Sequence, residues 1–238
     1  IAAAHSGTGL ILDEIGQVDG KEAGECSYML ANGEGKQRAS RSGGARRKQT
    51  WRLLFLSSGE TDLSQHMRAA GKKARAGQEI RLLTIEADPG AGLGIFEDLH
   101  GYKNGAAFSK HISQQAETCY GTAGPAFVES LAVAIEEDPD SHRVKELFNK
   151  IRMELDDYIP PKPEGQISRA VERFALIATA GELAIEFGIT DWQEGEATIA
   201  AVACFKSWLN QRGGTGSQEE AEILAQVRFF FEQHGQSR

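Results

Sequence analysis

Leu10-Ile11-Leu12-Asp13-Glu14 is an apolar run that closes on two carboxylates. A short apolar run of this kind predicts a buried strand, Gly9 to Asp13, in an α/β sheet. Ligands of such sheets bind in the crevice outside the carboxyl ends of the strands, which is where Asp13 and Glu14 would lie. An apolar strand ending in Asp-Glu is also how a P-loop ATPase builds its second nucleotide motif. In that setting Asp13 holds the magnesium of a bound nucleotide, usually through water, and Glu14 polarises the attacking water. The alternative is a strand whose end carries two solvated acids.

Such a motif should follow a Gly-rich phosphate loop ending in Gly-Lys-Ser or Gly-Lys-Thr. The Gly-Lys pairs of this chain are Gly20-Lys21, Gly35-Lys36 and Gly71-Lys72, and none continues into Ser or Thr. The expectation is therefore a chain that begins inside an ATPase domain, in keeping with a first residue, Ile1, that is not Met.

Two further strands are expected downstream. Trp51 to Ser57 is apolar and runs into Ser57-Ser58. A small polar residue at the end of a neighbouring strand suits a group that senses the γ-phosphate and orients water, although either serine could instead cap the following helix. Ile80 to Ile85 is the third, with Arg81 at its mouth. In a ring-forming ATPase an arginine there can stabilise transition-state charge at a neighbouring subunit's γ-phosphate; the alternative is a local pair with Glu79 or Glu86. Helices are expected after Glu22 and from about Thr61 to Ala70.

The strongest local charge signal lies between the first two strands. From Lys36 to Ser58 there is no acidic residue, against Lys36, Arg38, Arg41, Arg46, Arg47, Lys48 and Arg52. Gly33, Gly35, Gly43 and Gly44 make this stretch turn-rich, like a hairpin tip. Lys36, Arg38, Arg41, Arg46, Arg47 and Lys48 are candidate contacts to single-stranded DNA phosphates, salt-sensitive and blind to sequence.

Beyond about Gly105 the pattern is helical. Ser141 to Ile159 carries Val144, Leu147, Phe148, Ile151 and Leu155 on one stripe. Pro160-Pro161-Lys162-Pro163 stops that helix. Val171 to Phe187 is apolar nearly all round and ends at Gly188, which predicts a central buried helix. Glu196 to Arg212 is another. A last helix opens with a capping box at Ser217 to Glu220 and carries Ile223, Leu224, Val227, Phe230 and Phe231. The expected divisions are 1–104, 105–160 and 161–238.

Bulk properties narrow the function. The chain has 238 residues, 40% hydrophobic and 25% charged, as in an ordinary globular protein. A net charge of −8 gives no global nucleic-acid signature, so any such contact must be local. Cys26, Cys119 and Cys204 form no CxxC pair, which fits free thiols in a reducing cytoplasm and argues against a zinc site. No apolar run approaches the roughly 18 residues that would span a bilayer. His100, His111 and His142 lack metal-ligand spacing and read as structural.

With these strings in view, the chain resembles the phage and mobile-element primase–helicase proteins that carry a domain of unknown function, number 927. The matching strings include HSGTGLILDEIGQ (5–17), YMLANGEGKQRA (28–39), WRLLFLSSGE (51–60), GQEIRLLTI (77–85) and FEDLHG (96–101). RFALIATAGELA (173–184) and RGGTGSQE (212–219) extend the likeness. The resemblance implies a partial RecA- or AAA+-like P-loop ATPase sheet followed by an all-helical C-terminal domain. It places the carboxylates of the second nucleotide motif on Asp13 and Glu14, and the sensor on Ser57-Ser58. ATP and Mg2+ are the implied cofactors of the intact protein. Single-stranded DNA, a primase and a homo-oligomeric ring are the implied partners, in an ATP-driven helicase. The competing expectation is a non-catalytic module that docks DNA or a primase through its basic loop.

Overall fold

Strand β1, Gly9–Leu12, and strand β2, Leu54–Ser57, pair in parallel. Their register runs from Gly9 opposite Leu54 to Leu12 opposite Ser57. The computed structural model describes residues 1–36, 48–72, 80–161, 163–212, 214, 227 and 231. The chain divides into two compact units, Ile1–Thr84 with Glu222–Arg238, and Ile85–Ala221.

In the first unit the parallel strands are joined through helix α1, Gly20–Asn32. Asp19 caps its start, its side chain accepting from the Lys21 N–H. Gly33 closes it in the left-handed conformation, φ 71°, where a side chain would be strained. The buried side of α1 is made of small residues, Gly20, Ala23, Gly24 and Ser27. These let helix α2, Leu63–Ala69, press close. A β-carbon on Gly20 would stand 2.8 Å from both the Ala70 β-carbon and the His66 carbonyl oxygen. Leu63 and Met67 fill the seam against Ala23, with Ile15 and Leu82 at its margin.

Each strand turns one face inward. Leu10 is buried while Ile11, Leu54 and Leu56 are 71%, 65% and 67% exposed. Ile11 and Leu56 are direct partners in the ladder, so the open face of the sheet is aliphatic.

The expected third strand, Ile80 to Ile85, does not form; residues 80–82 turn and 83–86 carry no regular structure. Part of its apolar surface serves the helix seam instead. Ile80 is buried and Leu82 packs against Ala23, Leu63 and Met67. The second strand is shorter than expected, because Trp51 is paired with Gly33 in the antiparallel stretch that precedes it.

The regular elements described in the second unit are helices: α3 (Gly105–Ala116), α4 (Ala123–Glu137), α5 (His142–Asp156), α6 (Gly165–Glu186) and α7 (Glu196–Gln211). Helix α6 is central, flanked by α5 and α7. Ile167, Val171, Phe174 and Leu183 of α6 meet Ile151 and Leu155 of α5 and Phe205 and Trp208 of α7 in one buried core. Phe174 and Phe205 pack edge to face, 5.6 Å between centroids. Near its end α6 has Gly181, where a β-carbon would fall 2.5 Å from that of Ala197. Burial of α6 is one-sided all the same. Leu176 and Ile177 are 62% and 51% exposed, since flanking by two helices leaves a third side open.

The expected capping box at Ser217 lies outside the described residues. None of the described helices is long and apolar enough to cross a membrane.

Candidate functional site

The ends of β1 and β2 are adjacent, and the ladder carries on one step past the strands. The Ser58 N–H donates to the Leu12 carbonyl (3.3 Å) and the Ile15 N–H donates to the Ser58 carbonyl (2.9 Å). Asp13 and Ser58 therefore face each other at the mouth of the sheet. The Ser58 hydroxyl donates to Asp13 Oδ1 at 2.8 Å and accepts from the Glu14 N–H at 2.9 Å.

Glu14 is held at φ 57°, ψ 87°. Few non-glycine residues adopt positive φ, and such conformations persist where the surroundings impose them, often at functional sites. Here the imposing contacts are the Ser58 hydroxyl on the Glu14 N–H and the Ser58 carbonyl on the next amide. The Glu14 carboxylate is exposed and receives one long bond, from Gln17 Nε2 at 3.3 Å. No lysine, arginine or histidine among the described residues pairs with Asp13 or Glu14.

Ser57 lies beside this pair, its hydroxyl donating to the Ser58 carbonyl at 3.2 Å. Neither serine caps α2. That task falls to Asp62, whose side chain accepts from the Gln65 N–H at 2.7 Å.

Arg81 is elsewhere. Its Nε donates to Asn32 Oδ1 at 3.1 Å and its guanidinium lies 4.0 Å from the centre of the Tyr28 ring. Both partners sit in the last turns of α1. That end of α1 is beside the entry to the strands: Trp51 Nε1 donates to the Leu30 carbonyl, and the Arg52 N–H donates to the Ser6 hydroxyl. A helix of 13 residues is about 20 Å long. Arg81 and Asp13 thus occupy opposite ends of the sheet, and Arg81 does not join the carboxylates of its own chain.

The basic segment stands on an antiparallel stem. Glu34 bridges Thr50, with the Gly35 N–H donating to the Gln49 carbonyl and the Trp51 N–H to the Gly33 carbonyl. Arg38, Arg41, Arg46 and Arg47 lie outside the described residues. Lys36 and Lys48 are in the stem, and both already have acidic partners: Lys36 bonds Glu25 at 2.9 Å, and Lys48 pairs with Glu34. The hydrogen bond and charge of Lys36 pull the Glu25 carboxyl below its ordinary range and, reciprocally, raise Lys36. Glu25 and Trp51, which fasten the stem to α1, were not singled out from sequence. A lone glutamate in a helix and a tryptophan before a strand carry no signal until the chain is folded. Between stem and α1 runs a groove of about 680 Å³ lined by Cys26, Met29, Leu30 and Trp51.

The segment that holds Asp13-Glu14, α1 and the first arm of the stem matches a known family model, described as a domain of unknown function (DUF927). The match spans residues 1–51. The DUF927 match covers both carboxylates and stops before β2, so Ser57 and Ser58 lie outside it. No curated protein matches the chain, and no solved structure does.

Among the described residues no three His, Cys, Asp or Glu side chains gather as a metal site, so Asp13 and Glu14 stand as a pair. His111 instead rests on Tyr102 (5.0 Å between ring centres), and His142 meets Asp138 at 3.2 Å.

Proposed function

We propose that the first unit is the carboxylate-bearing part of a P-loop ATPase core of RecA or AAA+ type, in a DNA helicase that works beside a primase in phage or mobile-element replication. The observation that carries this is the joined mouth of two parallel strands, where Ser58 fixes Asp13 and the backbone of Glu14. Asp13 keeps Oδ2 free of Ser58, and two exposed oxygen-donor groups suit a hydrated magnesium ion, which binds one or two carboxylates and retains its waters. When bound with ATP, magnesium would neutralise charge on the β- and γ-phosphates. Asp13 would hold it through water, and Glu14 would accept a proton from the attacking water.

The phosphates themselves need donors that these residues do not offer. Gly20-Lys21 opens α1, Gly35-Lys36 is in the stem, and Gly71-Lys72 follows α2. The proposal therefore places a phosphate loop in another part of the intact protein. The aliphatic face of Ile11, Leu54 and Leu56 supports that placement, because parallel sheets occur almost only with both faces covered. The arginines of the basic segment would touch DNA, and α1 would link that segment to the carboxylate mouth. An across-ring role for Arg81 would require it to leave Asn32 and Tyr28.

The test is twofold. Sequencing of the gene upstream of Ile1 should show GxxxxGK[ST], and the full-length product should hydrolyse ATP faster with single-stranded DNA. A folded product that binds DNA without turnover would replace this proposal with the docking module.

A further inference from the structure

We infer that Ser58 is a positioning residue, whose hydroxyl sets the Asp13 carboxylate and the Glu14 backbone as one unit, and that Ser57 is the hydroxyl left to meet a phosphoryl oxygen. This rests on the ATPase proposal above. A serine hydroxyl has one proton to give and two lone pairs. The Ser58 proton is spent on Asp13 Oδ1 and a lone pair takes the Glu14 N–H. While Asp13 is held in this way, Ser58 has no proton for a phosphate. Ser57 has a long bond to its neighbour's carbonyl, 3.2 Å, against the usual 2.7–2.8 Å for O–H···O, and can exchange it cheaply.

The arrangement makes three things move together. If the Ser58 hydroxyl is lost, Asp13 turns freely, the Glu14 N–H loses its partner, and Glu14 can leave the left-handed region. The two backbone bonds of residue 58 to Leu12 and Ile15 remain, so the sheet mouth stays closed.

The experiment compares S58A, S58T and S57A with wild type in the full-length protein. Hydrogen bonds to charged groups lead to an expected loss of about tenfold or more in kcat for S58A. The magnesium concentration at half-maximal rate should rise severalfold in S58A, with ATP affinity measured without metal unchanged. S58T, which keeps the hydroxyl, should restore both. S57A should lower kcat and leave the magnesium midpoint alone. Independently of turnover, exchange of the Glu14 amide hydrogen should speed up about tenfold in S58A and recover in S58T. An unchanged magnesium midpoint in an active S58A would overturn the positioning role. If wild type itself shows no turnover, the ATPase proposal fails, and the Glu14 amide decides the clamp alone: unchanged exchange in S58A overturns it.

Discussion

Replacing Glu182 by Ala should be the most damaging single carboxylate removal in the helical unit. Glu182 is 9% exposed and projects from α6 onto the start of α7. One oxygen accepts from the Gly195 N–H at 2.9 Å, the other from both the Thr198 N–H and the Thr198 hydroxyl at 2.8 Å. The first N–H groups of a helix have no partner within it, and here a side chain from a neighbouring helix supplies one. Truncation leaves three donors without that acceptor, at about 1–3 kcal/mol for each buried donor that water cannot reach. Partial hydration of the opened site brings the expected total to about 3 kcal/mol. Burial by itself would raise the Glu182 carboxyl, yet the bonds from Gly195 and Thr198, with Lys150 nearby, bring it below its ordinary range. A carboxyl depressed in the folded state adds stability above its unfolded pKa and loses it as pH falls through the folded value. Wild type should therefore weaken from about pH 5 downward, and E182Q should lack that part of the slope. Urea unfolding followed by far-UV circular dichroism, from pH 7 to pH 3, measures both. A loss under 0.5 kcal/mol in E182A, or equal pH slopes in wild type and E182Q, would refute the capping role.

Arg212 should behave similarly at the other end of the same helices. Its side chain is 5% exposed and bonds Glu164 at 2.5 Å and Gln166 at 3.3 Å, so R212A should cost about 2–3 kcal/mol in the same unfolding assay. A loss under 0.5 kcal/mol would show the pair to be idle. G20A should destabilise the first unit by about 1–3 kcal/mol, because α2 must retreat from the new methyl group; a neutral G20A would contradict the close approach. In salt titrations of DNA binding, R46A and R47A should each reduce the slope of log Kd against log salt by about one. K36A and K48A should change it less, since both lysines are already paired with acids; equal effects would show that the stem pairs open on binding.

How legible the sequence was depended on how local each cause is. Leu10 to Glu14 announced a strand and a pair of acids because an apolar run and its polar end are adjacent in the chain. The helices α5, α6 and α7 were equally plain, from the stripe of the first and the apolar runs of the other two, although the open side of α6 was not. Ile80 to Ile85 has the same local pattern as a strand, and only the seam between α1 and α2 decides that Leu82 packs there instead. Helices α3 and α4 were not separated from sequence, and no residue in either is buried. At the site, Asp13, Glu14, Ser57 and Ser58 were all readable as strand ends. That Ser58 holds the acids was not, because it requires the register that sets Leu12 against Ser57. The place of Arg81 beside Tyr28 and Asn32 was not legible either, because both partners lie on a different element.

The proposed role of Glu14, activating water in an ATPase, is open to direct test. ATP hydrolysis by the full-length protein, with and without single-stranded DNA, should be compared between wild type and E14Q. The account predicts DNA-stimulated turnover in wild type, its loss in E14Q by about a hundredfold or more, and nucleotide binding unchanged between the two. Wild-type turnover in E14Q would contradict it.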